Sequence, residues 1–373
     1  MIPAAADLDL LATDIETDLR STVRGLLADQ CEPGAVTALY DGDRSVVVPL
    51  WKSLAADLGL AGLLVPEELG GAGASAREAG AVLDELGRAC APVPFLTSAV
   101  VATSVLLASD GDEARTLLAA LAAGDRTAAL VVPLALAPGA ALPDVSVADG
   151  RVSGTVRSVA GALEADVLLV AVADGQGVAL YAVAREDAQV TPVSSLDMAR
   201  QVADVTFDGA SARVLAADAD AAVRAGLLAG AALLASEQAG VARWCLEETV
   251  AYLKVRRQFG RVVGGFQALK HRLADLYAEV ESASAAARYA AAALAAGEDL
   301  PVAAHVAAAY CGDVAVHAAE EAVQLHGGIG MTWEHPAHLY LKKAKADQLA
   351  FGTPGAHRAA LAPLIDLLPG GDD

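Results

Sequence analysis

The feature of this 373-residue chain that most constrains its fold is a change of hydrophobic periodicity, from helical to strand-like and back to helical. In residues 8–126 apolar side chains recur at helical spacing, as at Leu50 and Leu54. Residues 127–215 form short β-rich runs separated by turn signals. Helical spacing then returns and persists through residues 218–368.

This order predicts an α+β chain that is mostly α, with three domains. We expect a helical domain at residues 1–126, a small antiparallel β-domain at 127–215 and a bundle of four long helices at 216–373. The alanine-rich stretch 283–296 favours a close approach of two helices in the bundle. The sequence shows no internal repeat.

Composition narrows the class of protein. A formal net charge of -21 repels phosphates, so neither nucleic acid nor an anionic membrane is an expected partner. The longest apolar run, 225–235, is too short to cross a bilayer, and the acidic N-terminus lacks the pattern of an export signal. We therefore expect a globular cytoplasmic protein without membrane insertion.

Metal and phosphate sites are not expected from the residues that could form them. The four cysteines lie far apart without a C-x-x-C pair, which disfavours a zinc site and a disulfide framework. His326 and His335 lack a carboxylate or cysteine at ligand spacing, so local packing or capping is the expected role. A basic cluster on a predicted helix could meet a phosphate but more often forms a solvated face: Lys342, Lys343 and Lys345.

Two segments of the C-terminal part carry a family resemblance. One is Arg256-Arg257-Gln258-Phe259-Gly260, and the other is Gln324-Leu325-His326-Gly327-Gly328-Ile329-Gly330 followed by Trp333-Glu334-His335-Pro336. In this order they resemble the acyl-CoA dehydrogenase family. The resemblance implies the helical, β, helical domain order and an FAD cofactor held between two subunits.

The resemblance also assigns cofactor roles to these segments. Arg256 would bond the FAD pyrophosphate, and Gln258 and Phe259 would pack against it. The adenosine side of a neighbouring subunit's FAD would be received by Gln324, Leu325, His326, Gly327 and Gly328. Glycine suits this role because a side chain would block the approach. The simpler alternative is that the glycines only end a helix.

The family's catalytic base is missing from both of its usual positions. The resemblance places a carboxylate before a Gly-Thr pair, where this chain has Phe351, or on an earlier helix, where it has Gly230. Neither residue can accept a proton. Glu237 lies two turns after Gly230, about 10 Å along the helix, and is a weak candidate.

The loops that face the flavin in this family are also not recognisable here. A T-E-P-x-A-G-S-D type of loop is replaced by residues 132–139, which read V-P-L-A-L-A-P-G. A W-I-T segment is replaced around Ser158 and Ala160, which cannot reproduce an indole and a hydroxyl. The features that a subunit supplies to its own flavin are absent, and those that reach a neighbour's flavin remain.

This division predicts the non-catalytic subunit of a heteromeric acyl-CoA dehydrogenase, in an α2β2 assembly with a homologous catalytic subunit. The FAD would be shared, the partner would bind most of a bulky acyl-CoA, such as a steroid-derived one, and an electron-transferring flavoprotein would accept the electrons. Two alternatives stay open: a self-sufficient homotetramer with an unconventional base, and a flavin-free scaffold.

Overall fold

A computed structural model describes residues 8–173, 175 and 177–367 and confirms the predicted fold class, mostly helical around a central sheet. The helices are α1 (Asp14–Gln30), α2 (Pro33–Ala38), α3 (Val47–Lys52), α4 (Ala76–Arg88), α5 (Thr103–Leu107), α6 (Asp112–Ala122), α7 (Asp220–Val255), α8 (Gln267–Ala296), α9 (Leu300–His326), α10 (Ala337–Leu349) and α11 (Pro354–Leu364). The strands are β1 (Ala128–Leu130), β2 (Val145–Ala148), β3 (Arg151–Ala160), β4 (Val167–Ala173), β5 (Val178–Ala184), β6 (Gln189–Pro192), β7 (Val202–Ala216), β8 (Arg257–Gln258) and β9 (Arg261–Val262).

Two of the helices before the sheet, α1 and α4, begin at recognisable caps. Thr13 and Glu16 form a capping box at α1, and Ser75 and Glu78 form another at α4. The two helices pack together, and Arg24 of α1 pairs with the buried Glu85 of α4 at 2.7 Å. A π-helical segment, Phe95–Ala102, is fully buried and leads into α5.

The sheet has the order β1-β4-β5-β7-β3-β2, with β6 beside β7. Long strand β7 pairs with β3, β5 and β6, and so joins both halves of the sheet. All pairs are antiparallel except β1 with β4, which differs from the predicted all-antiparallel arrangement. The chain leaves β1 through a long loop rather than a hairpin, which allows β1 to lie parallel to β4 at the sheet edge.

The helices after the sheet pack as a bundle around α7 and α9. Small residues allow this, because many alanines of the two neighbouring helices are buried, among them Ala283 and Ala290 of α8 and Ala307 and Ala315 of α9. The described residues contain five helices here rather than the four long ones predicted. The extra helix, α11, is separated from α10 because Thr353 caps it and Pro354 occupies its first turn.

Two of these helices are long and apolar enough to cross a membrane when judged by length and composition alone. They are Asp220–Val255 and Leu300–Met331. The most apolar windows of the two are 89% and 61% buried inside the fold, respectively. Their apolar character is therefore explained by packing in the bundle.

Candidate functional site

The first predicted cofactor segment is an exposed hairpin at the end of α7. Arg256 ends the helix, and strands β8 and β9 follow, joined by a turn at Phe259 and Gly260 with φ of 52° and 72°. The Phe259 side chain is 87% exposed, and Gln258 is exposed as well. Within the described part of the chain, the guanidinium of Arg256 has no hydrogen-bond or ion-pair partner and stays available to an anion.

The second predicted segment is the end of α9 and the turn after it. Gln324 is exposed, Leu325 is half-buried and His326 is buried. Gly327 has a φ of 64°, which fits a glycine that ends a helix. Gly328 has no positive φ, and a Cβ there would meet nothing within 4 Å. The isolated chain gives no steric reason for that glycine, and its open backbone is accessible to a partner or ligand.

The fold brings these two segments to one end of the bundle. The ring of Tyr252, on the last turn of α7, stacks on His326 with centroids 4.4 Å apart. The Tyr252 hydroxyl also donates to the His326 carbonyl at 3.4 Å. The end of α7, which carries Arg256, and the end of α9, which leads into Gly327 and Gly328, thus lie side by side at one end of the bundle.

The two positions at which the sequence resemblance places a base, Phe351 and Gly230, also meet in space, in the interior of the chain. Phe351 is 4% exposed, has a φ of 54°, and donates its N–H to the Leu134 carbonyl at 2.7 Å. A Cβ added to Gly230 would lie 2.9 Å from Cζ of Phe351 and 2.8 Å from Cγ2 of Val101. The phenyl ring therefore fills the space into which a carboxylate from either position would project.

Little open space remains beside this ring. A cavity of about 20 Å³ adjoins Phe351, which is room for about one water molecule. It is lined by Thr97, Val101, Leu130, Val132, Leu134, Ala160 and Phe351. Such a cavity has no room for a flavin ring or an acyl chain.

The segments that replace the flavin-facing loops hydrogen-bond to each other. Ser158 has a φ of 57°, and its carbonyl accepts the Leu134 N–H at 2.9 Å. The Ser158 N–H donates to Oδ1 of Asp204 at 3.0 Å. Pro133 forms a bridge with Val159. The loop and strand close the space next to Phe351.

Glu237, the weak base candidate, belongs to a buried charge cluster that the sequence did not predict. Its carboxylate pairs with Arg200 and lies 2.5 Å from Nζ of Lys343. Arg200 also pairs with Asp347, and Lys343 lies 3.3 Å from Asp347 and 3.9 Å from Asp197. Three carboxylates thus share two cations. We call these five residues the buried charge cluster.

The pKa values of two carboxylates in the cluster, Glu237 and Asp347, are shifted in opposite directions. Burial alone would raise the pKa of Glu237, but the charges of Arg200 and Lys343 lower it below the ordinary value. For Asp347, burial dominates over the same two cations and raises the pKa to about 6. Of these two carboxylates, Asp347 is therefore the first to take up a proton, and Glu237 stays ionised and paired. A carboxylate held in this way is a poor proton acceptor.

The prediction of a solvated basic face on α10 is wrong at Lys343. This side chain is 1% exposed, because the carboxylates of the buried charge cluster surround it. Lys342 lies between the rings of Tyr40 and Trp333, at 4.1 and 4.0 Å from their centroids. Only Lys345 is directed to the surface, where it bonds Gln348. The three lysines form no phosphate site.

Substituting Asp347 by asparagine tests the proton assignment. The folded-state pKa of Asp347 lies above its unfolded value, so folding takes up a proton between pH 4 and 6, and wild-type stability gains as pH falls through about 6. Relative to Asp347→Asn, the wild type should gain about 1–3 kcal/mol between pH 7.5 and 4.5. Denaturant unfolding of both proteins across this range measures it, and a constant difference would contradict the assignment.

Comparisons with known proteins agree with the fold. Residues 13–125 match the acyl-CoA dehydrogenase N-terminal domain, and residues 220–363 match the C-terminal domain. The acyl-CoA dehydrogenase IpdE2 of Mycobacterium tuberculosis is 38% identical over 90% of this chain and 92% of its own length.

Two solved structures are similar over nearly the whole chain. A variant of the Tcur3481-Tcur3483 steroid ACAD superposes with a TM-score of 0.83 at 29% identity, covering 95% of this chain and 98% of that one. The ChsE4-ChsE5 complex from Mycobacterium tuberculosis gives a TM-score of 0.85 at 27% identity, covering 97% of this chain and 100% of that one. Both names denote pairs of proteins.

Proposed function

The chain belongs to the acyl-CoA dehydrogenase family, whose cofactor is FAD, and on this premise we propose that it is the non-catalytic subunit of a heteromeric acyl-CoA dehydrogenase. The α,β-dehydrogenation of an acyl-CoA needs a base for the α-proton beside an acceptor for the β-hydride. When bound, FAD supplies the hydride acceptor. In our proposal the partner subunit supplies the base and most of the acyl-CoA site.

The observation that carries this proposal is the contrast between the two halves of the site in one chain. On the inside, the Phe351 ring fills the space at Gly230, and about 20 Å³ remains open next to it. On the outside, Arg256 and the Gly328 backbone stay exposed at one end of the bundle. A chain that closes its own pocket and keeps an outward cofactor surface is suited to completing a neighbour's FAD site.

Within this proposal each exposed group has a defined task. Arg256 would neutralise the pyrophosphate, and Gln258 and Phe259 would pack against it. Gly327 and Gly328 would let the adenosine approach the backbone, with Gln324, Leu325 and His326 shaping that side. No proton transfer is assigned to this chain.

The relatives support a heteromeric partner and a bulky substrate. Similarity to the ChsE4-ChsE5 complex and to a steroid ACAD favours an α2β2 assembly acting on a steroid-derived acyl-CoA. An electron-transferring flavoprotein is the acceptor we propose, as is common in the family. A cytoplasmic location fits this role.

A self-sufficient homotetramer would need a base within this chain. Glu237 is the candidate, but it is 1% exposed and paired with Arg200 and Lys343. The first experiment is therefore to measure mass and flavin absorbance for the chain alone and for the chain co-expressed with a base-containing homologue. We expect little flavin alone and about one FAD per pair together. Stoichiometric flavin in a homotetramer would overturn the proposal.

Arg256→Ala in the assembled complex tests the cofactor surface. The substitution removes a charge-assisted contact of about 1.5–3 kcal/mol, so FAD affinity should fall about 10- to 100-fold. Arg257→Ala is the matched control, because it removes an equal charge from the adjacent position, which is also exposed. Equal flavin retention in both variants would instead support the flavin-free scaffold.

A further inference from the structure

We propose that Glu248, His326 and His335 form a site for a divalent transition metal, with Zn²⁺ the best fit. One potential ligand atom from each residue lies within 4.8 Å of the other two. The three residues come from α7, from the last position of α9 and from the turn before α10. The inference is independent of the proposed function, because it concerns metal binding by this chain alone.

His326 is the most informative member of the site. It is 3% exposed, and its Nδ1 lies 2.7 Å from the Ala322 carbonyl, so Nδ1 carries the proton and donates. Its Nε2 is then a bare lone pair, buried and without a hydrogen-bond partner in the described structure. A buried acceptor without a hydrogen-bond partner destabilises the folded state, so we expect a ligand at this atom. Orientation of an imidazole by an Nδ1–H bond to a backbone carbonyl is also typical of metal-bound histidine.

His335 and Glu248 complete the ligand set. The His335 ring packs on the His326 ring with centroids 4.1 Å apart, and its Nε2 lies 4.0 Å from Oε1 of Glu248. That separation is too long for a hydrogen bond but leaves space for an ion between the two groups.

The chemistry of the donors selects the metal. Two imidazoles and one carboxylate suit Zn²⁺ and similar borderline ions better than Mg²⁺ or Ca²⁺, which prefer oxygen. Zn²⁺ bonds of about 2.0–2.2 Å require the ligand atoms to move closer together. Glu248 can make most of this movement, since its side chain is 43% exposed. Three protein ligands leave a fourth position to water or another ligand.

One cost limits the affinity. The His335 Nδ1 accepts the Ala337 N–H at 3.2 Å, so the proton of the neutral ring lies on Nε2 in the metal-free chain. Metal binding at Nε2 would move that proton to Nδ1 and give up this hydrogen bond. We therefore expect weaker binding than at a site whose ligands keep all their hydrogen bonds. The bound ion would tie α7 to the end of α9, directly before Gly327 and Gly328.

The test measures Zn²⁺ binding by the untagged full chain. Binding is measured by calorimetry and by the metal content of the chain after dialysis. One Zn²⁺ per chain is expected, with at least tenfold weaker binding in Glu248→Gln and in His335→Gln. His317→Gln is the matched control, because it removes an exposed imidazole that also lies beside a carboxylate, Glu279. Zn²⁺ should raise the melting temperature of the wild type and of this control.

Glu248→Gln keeps the test decisive if the half-buried His335 variant fails to fold, since Glu248 is partly exposed and makes no hydrogen bond to the rest of the described chain. Absence of a stoichiometric site would overturn the inference. So would Zn²⁺ binding that is equal in the wild type, Glu248→Gln and His317→Gln, which would mark the ion as adventitious.

Discussion

Replacing Lys343 with methionine is expected to lower the free energy of unfolding by about 3–5 kcal/mol, because one cation is removed from a buried group of charges. The ammonium group lies 2.5 Å from Glu237 and 3.3 Å from Asp347, and all three side chains are nearly inaccessible to water. Without Lys343, Arg200 alone would face three carboxylates. Urea unfolding of the purified chain at pH 8 measures the loss.

Lys345→Met is the control for this substitution. Lys345 has the same side chain on the same helix, but it is exposed and bonds only Gln348. Its replacement should change stability by less than about 0.5 kcal/mol. The Lys343→Met loss should also shrink toward pH 5, because protonation of Asp347 removes part of the unbalanced charge. Similar losses of unfolding free energy in the two variants would contradict the view that Lys343 neutralises the carboxylates of the buried charge cluster.

The buried charge cluster could not be predicted from the hydrophobic periodicity of the sequence. Lysine on a helix beside other lysines is typical of a solvated face, so Lys343 was predicted to be exposed. Its partners lie far away in sequence, with Asp197 and Arg200 in the loop between β6 and β7 and Glu237 in the middle of α7. The one available signal was Glu237 itself, a charged residue inside a long apolar stretch, which requires a buried partner.

The fold was more predictable than the site, for a physical reason. Long helices and regular strands each repeat their apolar spacing many times, so their existence is encoded locally. The contact between Phe351 and Gly230 is not encoded locally, although each residue was singled out separately. The same holds for Glu248, which meets His326 and His335 only because α7 and α9 pack side by side.

Phe351→Ala is expected to destabilise the isolated chain by about 3–5 kcal/mol, the usual cost of removing a buried aromatic ring. The ring is 4% exposed, packs against Gly230, and borders the small cavity, so its loss would enlarge an apolar void that the surrounding strands cannot easily fill. Unfolding in guanidinium measures the loss.

Phe259→Ala is an unusually close control. Phe259 also has a positive φ, 52° against 54° for Phe351, so the backbone contribution of the substitution is matched. Its ring is 87% exposed, and its removal should cost the isolated chain less than about 0.5 kcal/mol. Equal costs at the two positions would contradict the view that Phe351 fills a closed pocket.

The same two variants separate the interior from the cofactor surface once the complex is assembled. If Phe259 packs against a partner's FAD, Phe259→Ala should weaken flavin retention in the complex while leaving the stability of the isolated chain unchanged. Phe351→Ala should show the reverse pattern, a less stable chain but unaltered flavin binding in the complexes that still form. One phenylalanine would then serve the fold and the other the neighbouring subunit, as our proposal of a non-catalytic subunit that completes a partner's FAD site requires.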